Sequence, residues 1–233
     1  MKITSWRILG SILFFLGIIS GISIAILGTW NKVESADYFF SGTTYEHFNG
    51  LRCPLLMRRS EIGVITVIFD NPTDSDDNFY YKVEISGFLA PRQLEGHLSV
   101  PAHQQSSLRL TVNKADIDLQ IFVFAKIVIS PNSTRPTREA DCGILVLKDS
   151  RFTGGQLLTS LLVLSLLGII PGFILWKRAN PNGRPDVQRV MQALGIVVLL
   201  AMLGALIGWW FAGLFFIVLA LLLILALARL SIG

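Results

Sequence analysis

The chain has 233 residues, of which 52% are hydrophobic and only 15% charged, with a mean hydropathy of +0.58 and a formal net charge of +4. Soluble domains carry about a quarter charged residues, so the composition excludes an ordinary soluble protein and makes the lipid bilayer part of the solvent. The positive charge gathers beside the apolar stretches, which removes nucleic-acid binding from the functions it could signal.

The first element, residues 1–30, contains the charge-free stretch Ile8–Trp30. A hydrocarbon core needs roughly 20 apolar residues per helix, and this run supplies them. It exceeds the roughly 7–15 apolar residues of a cleaved signal peptide and no A-x-A site follows it, so an uncleaved signal-anchor helix is expected.

Residues 31–151 hold nearly all remaining charge and read as one β domain. "EIGVITVIFDNP" alternates apolar residues at Ile62, Val64, Val67 and Phe69, though Ile65 and Ile68 make the period imperfect. "FYYKVEISGF" sets Tyr81, Val83 and Ile85 against Lys82, Glu84 and Ser86, and "SSLRLTV" alternates at Leu108, Leu110 and Val112. "LEGHLSV", "LQIFVFAKIVIS" and "CGILVLK" complete the set, separated by turn residues. Short strands at this spacing predict an antiparallel sandwich or small barrel. No part of the region has a sustained helical period.

The strand order resembles an immunoglobulin-like or fibronectin-type β-sandwich over about residues 50–149. The resemblance is one of fold: the domain interior contains no Trp to pack on a disulfide in the antibody manner, and such sandwiches host many unrelated functions.

Residues 152–176 form the second apolar stretch, and residues 177–189, "KRANPNGRPDVQR", a basic loop. Residues 190–229 contain a third stretch of about 39 residues, which as one helix would reach nearly 60 Å against a core of roughly 30 Å. It should fold as a hairpin of two helices turning at "GWWFAG", residues 208–213, before the short tail 230–233. The expected architecture is therefore four transmembrane α-helices with an all-β extracytoplasmic domain inserted between helices 1 and 2.

Orientation follows from the bases. Lys2, Arg7, Lys177, Arg178, Arg184, Arg189 and Arg229 flank the spans, with Asp186 the one acid among them. Lys and Arg are retained on the cytoplasmic side, so both termini are expected there, with residues 31–151 outside the plasma (cytoplasmic) membrane. Trp6, Trp30, Trp176, Trp209 and Trp210 all fall at span edges, where an indole anchors at the interface.

Cys53 and Cys142 are the only cysteines. Neither belongs to a C-x-x-C pair of the kind that zinc requires, and on the oxidising side they are expected to form a disulfide joining the first strand to the last. His97, His103 and Met57 could be imagined as a copper site, but their spacing is unspecific. "DNPTDSDD", residues 70–77, is acidic but lacks the register of an EF-hand loop and suits a turn leaving a strand. Asn132 begins the one acceptable glycosylation sequon, since Pro72 disqualifies "NPT". No cofactor, metal site or catalytic motif is expected, and the chain is not expected to be an enzyme.

Gly10, Gly17, Gly21 and Gly28 form a stripe on helix 1, and G-x-x-x-G pairs recur at Gly168 and Gly172 and at Gly204 and Gly208. These are expected helix-packing faces. The spans carry no ionisable residue in their cores, which argues against a stand-alone transporter. The expected function is an accessory or scaffold subunit presenting the outer sandwich to other membrane proteins. A receptor or carrier for a small ligand, lipid or glycan is the alternative, and an extracytoplasmic metal-handling protein or enzyme is a second.

Overall fold

A computed structural model describes residues 2–40, 45–131, 136–148, 151–181 and 183–232. The chain divides into two compact units, residues 1–30 with 157–233, and residues 31–156.

The helical unit is built from α1 (Lys2–Tyr38), α2 (Gly154–Ala179), α3 (Pro185–Ile207) and α4 (Trp210–Ile232), each long and apolar enough to cross a membrane. The backbones of α1 and α2 meet at glycines. A Cβ at Gly17 would lie 2.5 Å from the Ile169 backbone nitrogen, and one at Gly168 only 2.6 Å from the Gly17 Cα. Gly10 meets the Trp176 backbone and Gly172 that of Phe14 in the same way. Gly21 and Gly28 turn toward α3, against Val198 and Ala205. Phe14, Ile18, Leu194 and Val198 fill the space between these helices. Gly204 faces the start of α4, where an added Cβ would lie 3.4 Å from the Gly213 nitrogen. Gly208 differs from the expectation. It ends α3 in the left-handed conformation, φ +88°, with open space where a Cβ would be, so its part is to turn the chain. Trp176 differs too: it is 8% exposed and belongs to the packed helix cluster, whereas Trp6, Trp30 and Trp209 are more than half exposed.

The second unit contains two sheets. The larger runs β1 (Glu46–His47), β9 (Arg138–Leu147), β8 (Phe122–Pro131), β5 (Asp77–Ile85), β6 (Arg92–Val100), with β3 (Leu56–Arg58) also on β9. The smaller runs β2 (Leu51–Arg52), β4 (Gly63–Asp70), β7 (Gln105–Val112). Side chains from both sheets, among them Ile65, Val67, Phe69, Val83, Ile127 and Ile144, make one apolar core.

The expected antiparallel sandwich is in fact mixed. β1 and β3 both pair with β9 in parallel, while β2 between them pairs antiparallel with β4 in the other sheet. The stretch 46–58 thus follows β9, crosses to the smaller sheet and crosses back. Cys53 lies at the return crossing and is bonded to Cys142 of β9, with the Cα atoms 6.5 Å apart. The face assignment on β4 also shifts. Gly63, Ile65, Val67 and Phe69 point inward, leaving Ile62 and Val64 exposed. The reason is the cross-strand neighbour: a Cβ at Gly63 would lie 2.8 Å from Val112 Cγ2, so the glycine occupies the first inward position.

Helix α1 does not stop at Trp30. Its residues from Asn31 to Tyr38 belong to the sheet unit, where a non-helical segment was expected. Asn31 Nδ2 donates to the Leu55 carbonyl (2.8 Å), and Tyr38 stacks on Phe124 at 4.5 Å between centroids. Lys32 Nζ donates to the carbonyl (2.7 Å) and to Oδ1 (2.6 Å) of Asp141, and Ser35 Oγ to its Oδ2 (2.7 Å). This cover explains why four successive residues of β8, Phe122 to Ala125, are all buried.

Replacing Gly17 by Val should lower thermal stability in detergent by about 2–3 kcal/mol through forced separation of the helices. Gly155→Ala, at a site with nothing within 4 Å of a Cβ, should be nearly neutral. Replacing both Cys53 and Cys142 by Ser releases a closure of 89 residues. That variant should lose up to about 4–5 kcal/mol in chemical denaturation.

Candidate cleft between the sheets

At the end of the sandwich where β4 finishes and β7 and β9 begin, a cleft of about 380 Å³ opens between the sheets. One wall is the crossing stretch His47–Arg52. It is fixed by backbone bonds to both sheets: Phe48 N–H donates to the Glu139 carbonyl and Ile68 N–H to the Gly50 carbonyl, both at 2.8 Å. A side chain at Gly50 would collide with the Ile68 carbonyl and the Phe48 ring, so the close approach needs glycine.

The floor is apolar. Phe69, Phe79 and Ile129 come up from the core, and the Phe48, Phe69 and Phe79 rings follow one another at centroid spacings of 6.2 and 5.7 Å. The rim is polar, with two arginines, Arg52 and Arg138, beside His47, Asn49, Gln105 and one carboxylate, Asp70. Arg138 Nε lies 3.5 Å from Glu46 Oε2, while the Arg52 side chain has no ion-pair or hydrogen-bond partner among the described residues. Guanidinium forks beside aromatic faces suit a ligand with an acidic end and an apolar body.

The histidines singled out by sequence do not converge. His103 sits in the β6–β7 turn at φ 55°, its Nε2 2.8 Å from Asp74 Oδ1. His97 is on β6, its ring 5.2 Å from that of Tyr80, and Met57 is in the core at 1% exposure. The acidic turn 70–77 is organised by a buried asparagine. Asn71 Nδ2 donates to the carbonyls of Ser75, Val100 and Pro101, and its Oδ1 accepts the Thr73 N–H and hydroxyl. Asp76 accepts the Ala102 N–H. Among the described residues no three His, Cys, Asp or Glu side chains gather as metal ligands. Asn132 lies outside the described residues.

Sequence reasoning passed over the cleft residues. The signal was "HFNGLR", residues 47–52, a run of donors, an aromatic and a glycine without strand or helix period. No protein-family model and no curated protein sequence matches the chain.

Beside His97, Tyr80 OH donates to Glu95 Oε2 at 2.7 Å and Lys82 Nζ lies 3.2 Å from Oε1. The Tyr80 hydrogen bond, then Lys82, holds the Glu95 carboxyl below its ordinary range, and the same bond raises the Tyr80 phenol. The folded carboxyl is depressed, so its contribution to stability is present above the unfolded pKa and fades as pH falls through the folded one. Carboxyl NMR of labelled protein should find Glu95 titrating low, and Tyr80→Phe should move it upward.

Proposed function

We propose that this membrane protein is an accessory or scaffold subunit of a larger membrane complex, and that its outer sandwich takes an acidic segment of a partner protein into the cleft. The cleft carries the reading: it joins unpaired or solvent-facing arginines, a residue type enriched in binding hot spots, to the apolar faces of phenylalanines. The disulfide supports an extracytoplasmic location for residues 31–151, and the basic flanks of the spans support cytoplasmic termini in the plasma membrane.

The immunoglobulin-like reading belongs here as well. The neighbours β5–β8–β9 and the pair β4–β7 support it, being the C–F–G and B–E neighbours of that fold. The parallel pairings of β1 and β3, and a disulfide from the crossing stretch to β9, depart from it.

A receptor for a small ligand is the second reading, favoured by the cleft volume, which falls within the range of small-molecule sites. The two are separated by one experiment. A photo-crosslinker at Asn49 in the full chain, extracted in mild detergent, should join it to a stoichiometric membrane partner. Arg52→Glu with Arg138→Glu should abolish both crosslink and co-purification. A chain that purifies alone, and whose Tm rises with an acidic amphiphile such as a fatty acid, would replace the subunit reading by the receptor one.

A further inference from the structure

The two ends of the sheet unit differ in chemistry. At the cleft end, the described turns Asn71–Asp76 and Pro101–Gln104 contribute no exposed large hydrophobic side chain. At the other end the turns are apolar and exposed: Ile62 is 68% exposed, Phe88 77%, Leu89 93% and Leu119 59%, with Ile121 beside them.

Backbone bonds gather these turns at one end. Ser86 N–H, just before Phe88, donates to the Phe124 carbonyl at 2.8 Å, and Ser86 Oγ to the Asp116 carbonyl at 2.8 Å. Val146 N–H donates to the Ile121 carbonyl at 2.7 Å, and β3 pairs Arg58 with Leu147 at the end of β9. Ile62 follows Glu61, whose Oε2 accepts the backbone N–H of Gly154 at 2.9 Å. Gly154 is the first residue of α2, a helix apolar enough to span a bilayer. The exposed apolar turns are therefore at the end of the domain from which a membrane span starts.

Basic side chains also surround the exposed apolar turns. Arg59, Lys114, Lys148 and Arg151 are exposed at this end, while the nearby acids are engaged: Glu61 on Gly154, Asp116 with Arg92, Asp118 with Tyr38. The opposite end is mixed in charge: Asp70, Asp74 and Asp76 are exposed there beside His47 and Arg52 of the cleft. Leu119 also holds a left-handed backbone, φ 47°, followed by Gln120 at φ 65°, where glycine or asparagine would be less strained.

We propose that this end of the sandwich is a bilayer-docking surface: Ile62, Phe88, Leu89, Leu119 and Ile121 enter the headgroup–acyl boundary, and the surrounding bases meet lipid phosphates. The proposal is independent of what the cleft binds. A span starting beside Ile62 fixes the occupant as lipid.

The test uses the full chain in nanodiscs of mixed zwitterionic and anionic phospholipid. Both native cysteines are held in the disulfide, so a nitroxide introduced by Leu89→Cys or Asp74→Cys reports one site. The Leu89 label should be more accessible to oxygen than to a water-soluble nickel chelate, and the Asp74 label the reverse. Equal exposure of both labels to nickel overturns the proposal. So does a Leu89 label shielded from both reagents, which would mean a protein cover. If Leu89→Cys does not fold, the label at Leu119→Cys decides in the same terms.

Discussion

The sheet unit depends on the half-buried carboxylate of Asp141. It accepts from Lys32 and Ser35 on successive turns of α1, and the Lys32 and Asp141 side chains are only about one fifth exposed (19% and 21%). Charges this far out of water are held by geometry and added hydrogen bonds, and here the second carboxylate oxygen and the Asp141 carbonyl are used too. With α1 fixed there, Tyr38 lies on Phe124 and the outer face of β8 is covered, so a strand apolar on both sides is stable in water.

The crossing stretch 46–58 is the second constraint. A chain that changes sheet cannot satisfy its backbone with one ladder, and this one divides its bonds between β9 and β4. The gap that the crossing leaves between the sheets is the cleft, with Gly50 closing one side and the aromatic floor supplied by the common core. The start of α2 is resolved in a similar economy of donors. Thr153 Oγ1 accepts from Gln156 N–H and Gln156 Oε1 from Thr153 N–H, while Glu61 takes the Gly154 N–H. The first amides of a helix have no partner within it, and here those of Thr153, Gly154 and Gln156 are satisfied by side chains.

The helices were legible because twenty apolar residues in a row have one physical outcome, and Gly208 was legible as a turn because 39 such residues cannot form one span. Most strand positions were readable from alternation. Residues 31–38 were not: "NKVESADY" has no apolar period, yet extending a helix already nucleated costs little, and Lys32 and Ser35 find their acceptor over a hundred residues away. The start of β4 was misread because Ile62 and Val64 look like core, whereas Gly63 fits the space Val112 leaves. Only one wall of the cleft, "HFNGLR", left a mark in the sequence. The cleft's residues come from seven strands and no short window contains them.

The position of Cys53 sets an order of events. It anchors the stretch that walls the cleft, and its bond to Cys142 requires an oxidant. A newly made chain with free thiols would hold that wall by a handful of backbone bonds and two very short strands. The wall of the cleft thus gains its covalent anchor only after oxidation.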